Sequence, residues 1–283
     1  AGNATSSSDS TSASSVAESS DTSTQTSADA SSEDESKDES SQEESKDLEA
    51  NYTKYTLDGD LTQHMIDMSR LNEGNKVRLA NVIKKLKNGE EVTVGFIGGS
   101  ITQGTSAGND LCYAKLTADW LQKTYSNAKI NYVNAGIGAT GSYIGVHRVA
   151  NDLLSKNPDL VFVEFSVNDT TENTERNKKS YDGLLRTIWK SSTNPAIITI
   201  ATTQEDGTSF QDQHAEIVKH YDLPMISYRN TILDTIKHGD IVWKDISDDN
   251  IHPNVPGHKI VSQLLQAYIS DVDKDVDNIS GRG

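Results

Sequence analysis

Five short apolar runs, each followed by a helical stretch, constrain this chain more tightly than any other feature of it. The runs are 92–97, 130–133, 160–165, 196–201 and 223–227, dominated by β-branched, aromatic and other apolar residues and bounded by turn formers. Ahead of the first, Leu79, Val82, Ile83 and Leu86 recur at helical spacing, predicting a helix that ends at Asn88-Gly89. Further helices are predicted over 110–125 with Asp110 as cap, then 143–155, 176–191, 211–221, 229–238 and 256–270. Strands alternating with helices of ten or more residues argue for a parallel sheet covered on both faces. The nearly continuous apolar run Leu160–Phe165 suits a strand buried on both sides. The expected architecture is a three-layer α/β/α sandwich around a central, mostly parallel sheet of about five strands.

Ahead of that pattern the composition changes abruptly. Residues 1–50 hold 17 serines, no aromatic residue, and 13 acidic residues against Lys37 and Lys46. Their net charge of −11 is most of the −16 carried by the whole chain, so the acidity says nothing about the charge of a substrate. So little apolar surface cannot offset the entropy of ordering, and the segment is read as a disordered acidic spacer. Residues 51–90 are read as an N-terminal extension with a helix packing on the core, 91–272 as the main domain and 273–283 as a polar tail. A polar leader of this kind suits an exported protein, extracellular or tethered to a bacterial surface. No apolar run reaches the roughly 18 residues of a membrane span. The single cysteine, Cys112, sits among apolar neighbours and is read as a buried structural residue.

The ends of the strands carry the chemistry. The first strand stops at Gly98-Gly99, and Ser100 follows at once. The second runs into Asn134-Ala-Gly-Ile-Gly-Ala-Thr-Gly141, and Asn168-Asp169 lies just past the third. In a parallel sheet the carboxyl ends of the strands share one edge, so these loops converge. Asp249-Asn-Ile-His252-Pro253 precedes the last helix. Serine is a weak nucleophile without a base. His252 is suited to take its proton, and an aspartate three residues earlier to hold the imidazole in one tautomer. The Ser100 N–H, the Asn168 amide and a backbone N–H of the glycine-rich loop are candidate donors to a tetrahedral oxyanion.

Gly98-Gly-Ser100-Ile-Thr102, Asn134-Ala-Gly136, Val167-Asn168-Asp169 and Asp249-Asn-Ile-His252-Pro253 resemble, in order, the four blocks of the SGNH (GDSL-type) hydrolases. The resemblance spans about residues 91–270. It implies a flavodoxin-like fold and ester hydrolysis through an acyl-serine, with Ser100 as nucleophile, His252 and Asp249 completing a triad, and Asn168 as an oxyanion donor. It implies no metal and no organic cofactor. Two positions depart from the family. Gly99 stands in place of the usual aspartate, as in a branch that resembles secreted carbohydrate esterases acting on acetylated polysaccharides. The usual oxyanion glycine of the second block falls at Ala139, with Gly138 as the alternative donor. The expected substrate is therefore an acetylated plant polysaccharide or oligosaccharide of xylan or mannan type, and no nucleic acid partner is expected.

Other readings compete at several positions. Ser100 is suited to capping a helix, Asn168-Asp169 to forming an ordinary turn, and turn is the preferred reading of Asp169. Gly136-Ile-Gly138-Ala-Thr-Gly141 matches a dinucleotide-binding spacing, yet follows the second strand and leaves Ser100 and His252 unexplained. Thr102 occupies the second glycine of a G-x-S-x-G elbow, which disfavours an α/β-hydrolase. The six remaining histidines are assigned to surface or packing, and a metal pair of His252 with His258 is rejected for want of other ligands. Trp243 is a candidate sugar-stacking residue, with loop packing as the alternative. Arg148 and Glu164 are a candidate buried ion pair on the site floor. The alternatives to a polysaccharide deacetylase are a non-catalytic carbohydrate-binding or surface-display module, and an esterase or lipase of other substrate class.

Overall fold

The computed structural model describes residues 52–170 and 173–283. The acidic spacer assigned to residues 1–50 lies outside them. Six strands form one sheet: β1 (Arg70–Asn72), β2 (Glu91–Gly98), β3 (Lys129–Gly136), β4 (Leu160–Glu164), β5 (Ala196–Ala201) and β6 (Met225–Ser227), in the order β1-β6-β5-β4-β2-β3. All neighbours are parallel except β1, which adds an antiparallel edge to β6. The expected five strands are thus present, and β1 is the one that the sequence reading lacked. At three residues it is too short to show a period, and only its pairing with β6 defines it.

Alternation along the strands builds two cores. Val92, Val94, Phe96, Leu160, Phe162, Ile198 and Ile200 face one layer, formed by α2 (Val77–Lys87), α4 (Tyr113–Thr124), α8 (Tyr228–Lys237) and α10 (Val255–Lys274). Ile97, Val161, Val163, Phe165, Ile197 and Ala201 face the other, formed by α5 (Ser142–Asp152), α6 (Thr174–Trp189) and α7 (Gln211–His220). Phe96 and Phe162, opposite one another in register, stack with centroids 4.6 Å apart at the centre of the first core. A helix α1 (Gln63–Ser69), a short helix α3 (Ser100–Gln103) and another, α9 (Trp243–Ile246), complete the described elements above one turn of α-helix. None of the described helices is long and apolar enough to cross a membrane.

Local sequence explains most boundaries. Helix α2 buries the predicted stripe Leu79, Val82, Ile83 and Leu86, and carries Lys84, Lys85 and Lys87 in its last turn, where cations oppose the helix dipole. Helix α4 begins at Tyr113 with Cys112 as its N-cap, so Asp110 is not the cap it was expected to be. Residues 105–112 form an irregular loop after α3 and delay the helix. The polar tail also differs from expectation. Helix α10 runs to Lys274, beyond it Val276 is buried at 3% exposure, and the Asn75 amide donates to the Arg282 carbonyl at 2.9 Å. Apolar residues at 276 and 279, with nothing but polar ones between, are enough to fold this segment back on the first core.

The topology fixes where a ligand site belongs. Omitting β1, the order is that of a doubly wound sheet whose chain starts in the middle, goes out one way to β3 and returns to β4 on the other side of β2. The crevice between β2 and β4 at their carboxyl ends is the topological switch point. Gly98 at the end of β2 lies in register with Gly136 of β3 and Glu164 of β4.

Candidate active site

Ser100, Asn168 and the loop 137–141 all leave the sheet at that edge. Ser100 is the first residue of α3, with Gly99 as its N-cap, so its N–H lies in the first turn, where no preceding helical carbonyl serves it. The Ser100 Oγ lies 2.9 Å from His252 Nε2, and His252 Nδ1 lies 2.8 Å from Asp249 Oδ2. A carboxylate accepts only, so Nδ1 carries the proton and Nε2 is left to accept from the serine. The sequence spacing thus becomes a continuous hydrogen-bonded chain.

The loop around His252 is built to hold that chain. Asp249 Oδ1 accepts the backbone N–H groups of Ile251 and His252 at 2.7 and 2.6 Å, so one carboxylate both folds the turn and orients the ring. Burial works to raise the Asp249 pKa, but the backbone N–H and imidazole of His252 and the N–H of Ile251 outweigh it and hold the carboxyl at about 2. Beneath, the Ser247 hydroxyl lies 2.6 Å from the His252 carbonyl oxygen, and Ser247 pairs with Pro253 across the base of the loop. Helix α10 starts immediately afterwards. The Asn254 side chain caps it by accepting the Gly257 N–H, and a Cβ on Gly257 would lie 2.4 Å from the Ile246 carbonyl oxygen. A residue without a side chain is needed for the helix to close on the loop from behind.

Trp243 is placed inside, not at a sugar subsite. It is 6% exposed, and its indole N–H donates to the Asp249 carbonyl at 2.7 Å. The indole needs a partner once buried, and the turn needs an acceptor satisfied; each supplies the other. Exposed apolar side chains stand elsewhere: Leu111, Ile137 and Val242 on loops, Tyr143 and Ile144 in the first turn of α5, and Val255 at the start of α10.

The glycine-rich loop separates the two candidate donors. Gly138 donates its N–H to Gln103 Oε1 at 2.9 Å, so that group is already engaged. Ala139 is exposed and adopts a left-handed backbone conformation, φ 58°, where glycine is the residue of lowest cost. The loop is anchored by Asn134, whose side chain accepts the Gly136 N–H and donates to the Thr102 carbonyl, tying β3 to α3. Asn168 opens a short 3₁₀ turn, and its Oδ1 lies against Gly99.

Asp169 is more than a turn residue. It is 1% exposed; Oδ1 accepts the Ser142 N–H at the start of α5, and Oδ2 lies 2.9 Å from His214 Nε2. The expected surface or packing role of His214 therefore becomes a buried partner. Burial pushes the His214 pKa down against the pull of Asp169, so a neutral ring donates its Nε2–H hydrogen bond to the carboxylate while stacking on Tyr181 with centroids 3.6 Å apart. Nothing in the local sequence joins residues 169 and 214; the sheet brings them together.

Arg148 and Glu164 do not pair with each other. The Arg148 guanidinium donates to the carbonyls of Ala135 and Gly98 at 2.6 and 3.0 Å and meets Asp152, clamping the ends of β2 and β3 just below Ser100. Glu164 Oε1 accepts from the Thr202 hydroxyl at 2.7 Å and the Ser166 N–H at 3.2 Å. Charge complementarity alone suggested the pair. Arg148 reaches the strand-end carbonyls first, and Glu164 finds hydroxyls within its own face of the sheet. His258 is fully buried, and its Nδ1 accepts the Tyr113 N–H at 3.0 Å. Burial holds its pKa at about 4, so it stays neutral beside the triad.

Residues 96–260 match the GDSL-like lipase/acylhydrolase family. Among solved structures, the chain is similar to a two-domain esterase (CEX) active on acetylated mannans, at 38% identity and a TM-score of 0.73, covering 77% of this chain and 59% of that one. The same esterase co-crystallised with mannopentaose gives a TM-score of 0.71 over 75% of this chain and 57% of that one. The chain thus spans less than two thirds of the length of those relatives. Axe2, an acetylxylan esterase from Geobacillus stearothermophilus, matches at 20% identity and a TM-score of 0.53, which bears on the fold alone. No curated protein matches.

Proposed function

The chain belongs to the GDSL-like lipase/acylhydrolase family, and we propose that it is a serine esterase that removes acetyl groups from a plant polysaccharide or oligosaccharide of mannan or xylan type. The observation that carries this reading is the unbroken chain from Ser100 Oγ through His252 to Asp249, seated at the switch point of the sheet. Ser100 Oγ attacks the ester carbonyl carbon while His252 Nε2 takes its proton. The negative charge that develops on the carbonyl oxygen is met by the N–H groups of Ser100 and Ala139 and the side-chain amide of Asn168. His252 then gives the proton to the departing sugar oxygen, leaving acetyl-Ser100. A water deprotonated by the same histidine attacks the acyl group, acetate leaves, and Ser100 recovers its proton. Asp249 remains ionised throughout and stabilises the imidazolium.

Two features support a carbohydrate as the acyl carrier. The mannan-active esterase is 38% identical over three quarters of this chain. Beside α3, a cleft of about 330 Å³ is lined by Gln103, Asn109, Tyr132, Asn134 and Gly136, amide and phenol groups suited to a hydroxyl-rich ligand. The acidic, serine-rich stretch before the domain supports action outside the cell or tethered at its surface. Acetate release from acetylated mannan and acetylated xylan, measured for the wild type and Ser100→Ala, tests the reading. Release by the wild type alone supports it, and the preferred polymer names the substrate. Turnover retained by Ser100→Ala, or none by a folded wild type, overturns it, the latter in favour of a binding module.

A further inference from the structure

We propose that His64, Asp234 and His238 form a binding site for a divalent transition-metal ion of the zinc type, remote from the triad and structural in role. His64 Nε2 lies 2.6 Å from Asp234 Oδ2, and His238 Nδ1 lies 3.3 Å from the same oxygen. One ligand atom from each residue lies within 4.8 Å of the other two, and among the described residues no other group of three meets that condition. Asp234 and His238 stand four apart at the end of α8, which puts both on one helix face. His64 comes from α1 and is 3% exposed.

The donor set selects the class of ion. Two imidazoles and one carboxylate suit zinc, cobalt or nickel, whereas calcium and magnesium take oxygen donors almost exclusively. Donors around a tetrahedral zinc, each about 2.1 Å from it, are separated by roughly 3.4 Å. The His238 Nδ1–Asp234 Oδ2 distance of 3.3 Å is close to that value, and Nδ1 gives up its 2.9 Å hydrogen bond to the Asp234 carbonyl oxygen to the ion. The His64–Asp234 contact opens by less than about 1 Å as the ion replaces the proton between them. Water completes the fourth position.

The surroundings hold the rings in place. The Tyr52 ring stacks on His238 with centroids 4.2 Å apart and meets His64 edge-on at 5.6 Å. The Tyr52 hydroxyl donates to Asp240 Oδ1 at 2.5 Å, and the Tyr55 N–H to Asp240 Oδ2 at 2.8 Å. Ring packing of this kind restricts the orientation of both imidazoles. Helix α8 leaves the carboxyl end of β6 and runs away from the catalytic edge, so at a rise of ~1.5 Å per residue Asp234 lies about 9 Å down it from Tyr228. An ion there pins the segment around Tyr52 and helix α1 to α8 and takes no part in ester cleavage.

The test uses the full chain, stripped with a chelator and dialysed, then titrated with Zn²⁺, Co²⁺ or Ca²⁺ by calorimetry and followed by thermal melting. The expected result is one equivalent of Zn²⁺ or Co²⁺ per chain, with Tm raised by about 5 °C once the ion is ~100-fold above its Kd. Calcium gives no uptake, and ester turnover is the same before and after stripping. His238→Ala and Asp234→Asn each abolish uptake. His64→Ala is informative only beside them, since its side chain is buried and its loss also opens the core, whereas the His238 side chain is 17% exposed. Absence of stoichiometric uptake by the wild type overturns the site, as does uptake that persists in both His238→Ala and Asp234→Asn. A fall in turnover on stripping overturns its separation from the triad.

Discussion

Gly99 and Asn168 claim the same space: a Cβ on residue 99 would lie 2.0 Å from Asn168 Oδ1 and 2.9 Å from its Cγ. Two atoms cannot approach so closely, so any side chain at 99 displaces the amide that is proposed to meet the oxyanion. The missing aspartate of the first block is in this way coupled to where Asn168 sits. Gly99→Ala is expected to lower kcat with little change in KM, because the amide is used in the transition state more than in substrate binding. Removal of one such donor costs about 10²- to 10³-fold, and a displaced one is expected to cost roughly 10-fold or more. The readout is kcat and KM on a chromogenic acetyl ester. A Gly99→Ala enzyme with wild-type kcat would mean that Asn168 is not a donor in this geometry.

Ala139 pays for its backbone conformation, since φ 58° is unfavourable for a residue with a Cβ by roughly 1 kcal/mol. Ala139→Gly is expected to keep full turnover, with stability raised or unchanged, because relief of strain and the added freedom of the unfolded chain nearly cancel. Ala139→Pro removes the N–H and forbids the conformation, and is expected to lower kcat by about 10²-fold or more. Gln103→Ala, which frees only the Gly138 N–H, is expected to change kcat less than Ala139→Pro does. The reverse order would move the donor to Gly138.

The sheet and the Asp249–His252 contact were legible because each rests on local signals. Apolar runs of strand length reported β2 to β6, and glycine after a strand reported the loops that turn across its edge. Asp249 and His252 are close in sequence, so their spacing already contained the geometry. Strand β1 was not legible, because three residues have no period and the partner that defines them lies far along the chain. The same holds for Asp169 with His214 and for Arg148 with the strand-end carbonyls. Both are made by the sheet order: β4 beside β5 brings residues 169 and 214 together, and β2 beside β3 sets the two carbonyls within reach of Arg148. Trp243 misled because an aromatic residue before the Asp249–His252 loop serves equally as a platform or as packing, and only burial separates the two.

The Asp169–His214 pair holds the turn that carries Asn168. Asp169 keeps its buried carboxylate satisfied through Ser142 on one side and His214 on the other. His214→Ala leaves Oδ2 without that donor and opens a cavity beside Tyr181. A hydrogen bond to a buried charge contributes about 1.5–3 kcal/mol, so the expected loss of stability is roughly 2–4 kcal/mol once the cavity is included. His214→Gln, which can still offer an N–H, is expected to recover part of it. Denaturant unfolding of the three proteins checks the order, wild type above Gln above Ala. Equal stability of the Ala variant and the wild type would show that Asp169 finds another donor.

Glu164 makes stability depend on pH in the direction opposite to most carboxylates. Burial pushes its pKa up to about 7, against the Thr202 and Ser166 hydrogen bonds, and the charge of Asp169 adds to the rise. The unfolded chain releases this proton near the ordinary value of 4.5, whereas the folded chain keeps it until about 7. Between those values the folded state binds more protons, so stability contributed by the protonated form is complete below the lower value and is lost as pH rises through the upper one. The loss amounts to roughly 3 kcal/mol if the whole shift is realised. Glu164→Gln keeps an acceptor for Thr202 and Ser166 and removes the titration. Its melting temperature is therefore expected to fall less than that of the wild type between pH 5 and pH 8, with the variant the more stable of the two at pH 8. Parallel melting curves for the two proteins across that range would show that the carboxyl is already ionised in the folded state at pH 5.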